Sequence, residues 1–296
     1  MIDAEKITEA ICATECSPIA LEEGARLAEA YIEEWANEPG EILGVECGWS
    51  VQLDDHTFAV GVMDYIGRDQ QGIFGRELKT TKEPSRYWSE SKWLADIKTG
   101  SQIAVYALAL NRGVFYEAGR SPIKFGVPTP VRIQVRAAVK SATPMFWPQD
   151  QKDSWQTFDD RTLNKIADSL RIKSKIIREL RKSGVTPWQL PGKQCTNFNK
   201  QCEYFDMCTT YSGPEIVQGF DASDPAAQFA LPNLPASANC ADSVIISASA
   251  YSDYSRCLEL GRIKAQTAGR EDNLALATGT VFHAALAEWH RQKREC

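Results

Sequence analysis

The chain has 296 residues, enough for one large domain or two small ones with a sizeable buried core. Hydrophobic residues make up 43% and charged residues 24%, and 33 Lys and Arg against 39 Asp and Glu leave a net charge of −6, a balance that excludes a disordered, collagen-like or coiled-coil chain. No apolar run nears the ~20 residues of a bilayer span, and the acidic start MIDAEKITEA is unlike a secretory leader, so the expectation is a cytoplasmic protein without membrane contact.

Residues 4–37 read as helical, closed by Pro39-Gly40. The period then changes to two. In ILGVECGWSVQL one strand face carries Leu43, Val45, Cys47, Trp49, Val51 and Leu53, and the other Gly44, Glu46, Gly48, Ser50 and Gln52. A turn at Asp54-Asp55-His56 leads to a second strand (FAVGVMDYI), and GRDQQG leads to a third (IFGRELKT), an antiparallel meander. Residues 83–99, irregular to helical, hold Trp88 and Trp93, which suit core packing or base stacking. SQIAVYALALNR reads as a helix, VRIQVRAAVK as a strand, and 159–182 as a helix whose 161–182 stretch holds eight Lys and Arg against Asp168 and Glu179. Such a stretch suits a solvated face or a phosphate-tracking one. Residues 212–243 read as a linker, ISASAYSDYSRCLELGRIK as a capped helix, and TGTVFHAALAEWHRQKRE as an amphipathic helix.

The chemistry centres on Asp64, near the end of one strand, and on Glu77 and Lys79, two apart and so on one face of the next. Two carboxylates, helped by the Leu78 carbonyl, make a hard oxygen site suited to Mg²⁺ or Mn²⁺. The lysine beside them suits orientation of a water and stabilisation of phosphate charge. Glu46, on the polar face of the neighbouring strand, is placed to hold the metal or its water. Gln102 and Tyr106, four apart, share a helix face.

Nine cysteines in a reducing compartment are not a disulfide framework. Cys195, Cys202 and Cys208 cluster, and soft thiolates select an iron–sulfur cluster or zinc. Cys47 falls on the apolar face of its strand and reads as core; His56 reads as a turn residue and His290 as a surface one.

Gly61-Val-Met-Asp64, Glu77-Leu-Lys79-Thr80 and Gln102-Ile-Ala-Val-Tyr106, in this order, resemble the PD-(D/E)XK nuclease superfamily, in its RecB/AddB-like branch with four-cysteine CRISPR-associated and phage exonucleases. The resemblance implies an α/β, restriction-endonuclease-like core, a mixed central sheet flanked by helices. It implies a metal-dependent DNA exonuclease of recombination, repair or phage DNA processing, acting on single strands or duplex ends. Asp64, Glu77 and Leu78 then bind Mg²⁺ or Mn²⁺, Lys79 is catalytic, and Gln102 and Tyr106 line the site. Cys195, Cys202 and Cys208 match the last three ligands of a 4Fe–4S cluster, with a first gap longer than the family's, which keeps zinc open. The segment that opens the family domain closes this chain: Ser247-Ala-Ser249-Ala-Tyr251 through Cys257 resembles the start that bears the fourth cysteine, and Gly279-Thr-Val-Phe-His283 resembles the Gly-x3-His helix that bears a metal histidine. Two organisations fit: a circularly permuted domain in which 244–296 completes a core formed by 1–211, with neighbouring termini, or a tandem with a truncated second copy. The competing function is a non-catalytic DNA-binding scaffold of a recombination or CRISPR spacer-acquisition complex, and a third is a zinc-stabilised interaction protein.

Overall fold

The structure is a computed structural model that describes residues 2–81, 101–139, 145–147, 155–183, 196–197, 200–201, 243–247 and 274–295. The cysteines at 195, 202, 208 and 257, both tryptophans at 88 and 93, and the linker up to 242 lie outside these residues. Chain contacts divide the protein into two compact units. The first comprises Met1–Trp49, Val62–Leu163 and Glu271–Cys296, and the second Ser50–Gly61 and Asn164–Arg270.

The expected N-terminal helix is two. Helix α1 (Ala4–Cys12) is capped by Asp3, whose carboxylate accepts from the amides of Glu5 and Lys6. Helix α2 (Pro18–Trp35) starts afresh where Ser17 caps and Pro18 takes the first turn, a place where its missing N–H costs nothing. Strands β1 (Glu41–Asp54), β2 (Thr57–Asp69) and β3 (Gly72–Thr81) follow, then α3 (Ser101–Arg112), β4 (Val114–Tyr116), β5 (Val131–Val139), β6 (Met145–Trp147), β7 (Trp155–Phe158) and α4 (Asp160–Ser183). Short β8 (Thr196–Asn197) and β9 (Lys200–Gln201) pair with each other, and β10 (Val244–Ser247) and α5 (Leu274–Glu295) close the described chain. Strand β10 occupies the start of the segment read as a capped helix; Val-Ile-Ile is β-branched, which favours the extended chain.

The sheet runs β4-β1-β2-β3-β5-β6, with β7 also on β5. It is mixed: β2–β3, β5–β6 and β5–β7 are antiparallel, while β3–β5 is parallel. In the first unit, Leu78 of β3 and Ala138 of β5 join a core with Leu27 and Tyr31 of α2 and Phe282, Leu286 and Trp289 of α5. On the opposite face of β3, a Cβ at Gly75 would lie 3.2 Å from Leu110 of α3. Helices therefore cover both faces of β3. Helices α2 and α5 approach closely at Gly24, where a Cβ would stand 2.5 Å from Val281 Cβ.

In the second unit β10 pairs in parallel with Thr57–Val60 of β2, and Thr57 donates to Ser174 of α4 at 2.8 Å. Among the described residues, no helix is long and apolar enough to cross a membrane.

Candidate metal centre and polar relay

Asp64 lies on β2 one residue before Tyr65, which pairs with Arg76 of β3. Its Oδ2 accepts the Leu78 N–H at 2.6 Å, so the side chain takes up a main-chain donor of β3. Helix α5 brings His283 to the same place. Its Nδ1 stands 3.5 Å from Glu46 Oε1 and 3.7 Å from Asp64 Oδ1. One ligand atom each of Glu46, Asp64 and His283 lie within 4.8 Å of one another.

Beside this trio is a polar relay. Glu77, 2% exposed, pairs through Oε1 with Lys79 and accepts from Gln102 Nε2 at 2.9 Å. Lys79 Nζ donates to Gln102 Oε1 at 3.1 Å, and Gln102 Nε2 also donates to Tyr106 Oη at 2.8 Å. The four-residue spacing on α3 puts Gln102 and Tyr106 on one face. Glu77 Oε2 is buried with no hydrogen-bond partner among the described residues. A buried orphan carboxylate oxygen is costly unless a cation or ordered water meets it.

The electrostatics match. Burial, then the neighbouring Glu46 carboxylate, pushes Asp64 up to about 6 against the pull of His283, the Leu78 amide and Lys79. Burial and Asp64 push Glu77 up to about 7 despite Lys79. For His283 burial disfavours the charge, but Asp64, Glu46 and Glu77 outweigh it and raise the imidazole to about 9. The acids crowd one another, and positive charge relieves them. Two carboxylate oxygens and an imidazole nitrogen at this separation fit a divalent cation.

A family model described as PD-(D/E)XK nuclease superfamily matches residues 4–209. The chain belongs to the PD-(D/E)XK nuclease superfamily. Comparisons with curated proteins and with solved structures returned no match. The mixed sheet flanked by helices is the restriction-endonuclease-like architecture of this superfamily, whose nucleases use divalent metals.

Among the described residues, Asp64, Glu46 and His283 bring possible metal-ligand atoms together, while Glu77 faces Lys79 and Gln102. Leu78 donates its N–H to Asp64 Oδ2. His290, read as a surface residue, is 3% exposed, and its ring packs at a tilt against Tyr65 and Trp289, with centroids 4.7 Å and 4.5 Å away. Neither of its ring nitrogens has a hydrogen-bond partner among the described residues. Burial, and then Arg76, Arg136 and Lys293, hold it well below the usual histidine range, so it stays neutral. A second network escaped the sequence reading: Glu38 accepts from Arg76 at 2.8 Å and 3.1 Å and also pairs with Arg136. Its signal was there, since Arg76 shares the parity of Leu78, the core-facing residue of β3.

Proposed function

We propose that this protein is a divalent-metal-dependent deoxyribonuclease, an exonuclease of the RecB/AddB-like branch acting on single strands or duplex ends in DNA recombination, repair or phage DNA processing. The observation that carries the reading is the convergence of Glu46, Asp64 and His283 beside the Lys79–Glu77–Gln102–Tyr106 relay. Asp64, Glu46 and His283 would hold Mg²⁺ or Mn²⁺, with Glu77 and the Leu78 carbonyl as the further ligands that the sequence resemblance implies. When bound, the ion supplies Lewis-acid polarisation of a phosphoryl oxygen and a more acidic water.

The chain's own residues do the rest. Lys79 is kept cationic: burial works against its charge, but Glu77 and Asp64 outweigh burial and raise its pKa. An ammonium so held orients the attacking water and offsets charge that builds on the phosphate. Gln102 ties the ammonium to Glu77 and Tyr106, which fixes the amine's direction and orients the scissile strand. The cluster proposed for Cys195, Cys202, Cys208 and Cys257 rests on the sequence pattern; a 4Fe–4S centre there is structural, because hydrolysis needs no electron transfer. The permuted order is supported by the packing of α5 on α2 and β3, and by Asp3, whose N–H donates to Gln292 Oε1 at 2.5 Å and whose carbonyl accepts from Gln292 Nε2 at 3.1 Å.

The test is Mn²⁺-dependent degradation of end-labelled single-stranded DNA. Lys79→Ala is expected to lose about 100-fold or more in rate. Equal rates for wild type and variant contradict the role of Lys79, and inactivity of the wild type on single strands, duplex ends and RNA alike contradicts the nuclease reading.

A further inference from the structure

Strand β1 is not a flat strand where it meets the site. Glu46 has φ 48°, in the left-handed region that side chains other than glycine, asparagine and aspartate rarely adopt. Two further observations locate a kink there. A Cβ on residue 44 would lie 2.5 Å from Cys47 Sγ, whereas residues three apart in a regular strand point to opposite faces and stand about 10 Å apart. Ile42 and Val45, also three apart, share one buried cluster with Tyr65, Phe74 and Ala287. Both signs are those of a bulge, a device that redirects a side chain at the cost of local pairing.

We propose that the Gly44–Cys47 kink is a positioning device of the cation site: the left-handed turn at Glu46 takes its carboxylate out of the strand's alternation and sets it against His283, so that the protein spends backbone strain to place this acid. The proposal rests on the metal-centre reading above and deepens it. In a strand with strict alternation, residue 46 would share a face with residues 44 and 48 and follow the pleat. In the kinked strand Glu46 Oε1 reaches to 3.5 Å from His283 Nδ1, on a different element 237 residues further along the chain. Strain of this kind persists where surrounding packing enforces it, and it gathers at functional sites. Here the enforcing neighbours are buried Val45 and Cys47 on either side. At Gly44 a Cβ would stand 2.5 Å from the Cys47 sulfur, so a larger residue there would need the Cys47 side chain to shift.

The consequence is a trade between stability and cation binding. Glycine at 46 adopts this φ without steric cost, although its looser unfolded chain works against it. Glutamine at 46 removes the same charge and keeps the strain. Thermal melts in EDTA of wild type, Glu46→Gln and Glu46→Gly, with Mn²⁺ calorimetry on all three, separate the effects. Glu46→Gly is expected to melt about 2 °C or more above Glu46→Gln. Both variants are expected to bind Mn²⁺ about tenfold or more weakly than wild type. A glycine variant that melts at or below the glutamine variant overturns the strain, and one that binds Mn²⁺ like wild type overturns the positioning role. Wild type that binds no Mn²⁺ overturns the metal-centre reading and the positioning role with it, while the melting comparison still decides the strain.

Discussion

Asp64 and His283 are both raised within the same few ångströms of space, for opposite reasons. The acid is pushed up to about 6, chiefly by burial, and the imidazole up to about 9, because the acids around it outweigh burial. A cation must displace the proton from His283 and keep Asp64 ionised. Protons therefore compete below those values, and Mn²⁺ affinity is expected to climb steadily from about pH 6 to about pH 9, with proton release on binding, in calorimetry run in buffers of differing ionisation enthalpy. Affinity that is flat across this range contradicts the assignment of His283 as a ligand. At this scale the sequence was legible where chemistry depends on spacing alone. Glu77 and Lys79, two apart on a strand, share a face wherever that strand lies. Glu46 was legible as an acid near the site but not as a left-handed residue, because alternation assumes a flat strand. His290 misled because a polar residue on an amphipathic helix is most simply read as exposed; a box of Tyr65, Trp289 and Tyr31 encloses it instead.

Helix α5 carries His283 to the site, and what seats it is packing. Phe282, Leu286 and Trp289 bury against Leu27 and Tyr31 of α2 and Leu78 of β3, and Gly24 lets the helices close. Just beyond α2, Glu38 sits between two guanidiniums that are almost fully buried, Arg76 and Arg136, and Arg136 also donates to Tyr31. Burial alone would raise the Glu38 carboxyl, but Arg76 and Arg136 outweigh it and hold it below the ordinary 4.5. A carboxyl lowered on folding contributes stability that is complete above 4.5 and is lost as pH falls through its folded value. Glu38→Ala leaves two buried cations without their counter-ion and is expected to cost about 3–5 kcal/mol in urea unfolding at pH 7, with a smaller cost at pH 3. An equal cost at both pH values contradicts the ion-pair account. Element boundaries were legible where local chemistry is strong, as at α3 and β5, whose periods are unambiguous. The α1–α2 break was not, because Ser17-Pro18 serves equally as a restart and as an interruption until the caps are seen.

For the whole molecule, order along the chain and order in space diverge. Residues near both ends join one core around β3, which is why α5 can supply a side chain to a site built by β1, β2 and β3. Sequence reading reached this arrangement only through the Gly-x3-His pattern, since periodicity says that a helix is amphipathic but not what covers it. The cysteine pattern extends the same reading: Cys257→Ala is expected to abolish the brown absorption of anaerobically purified protein, and a colourless wild type with bound zinc contradicts the iron–sulfur assignment. The central claim is that Glu46, Asp64 and His283 converge on one divalent cation. Mn²⁺ calorimetry on wild type and Asp64→Asn tests it most directly. Wild type is expected to show a single saturable site, and the variant an affinity lower by about tenfold or more; equal affinity in both proteins, or no saturable binding in wild type, would contradict this convergence.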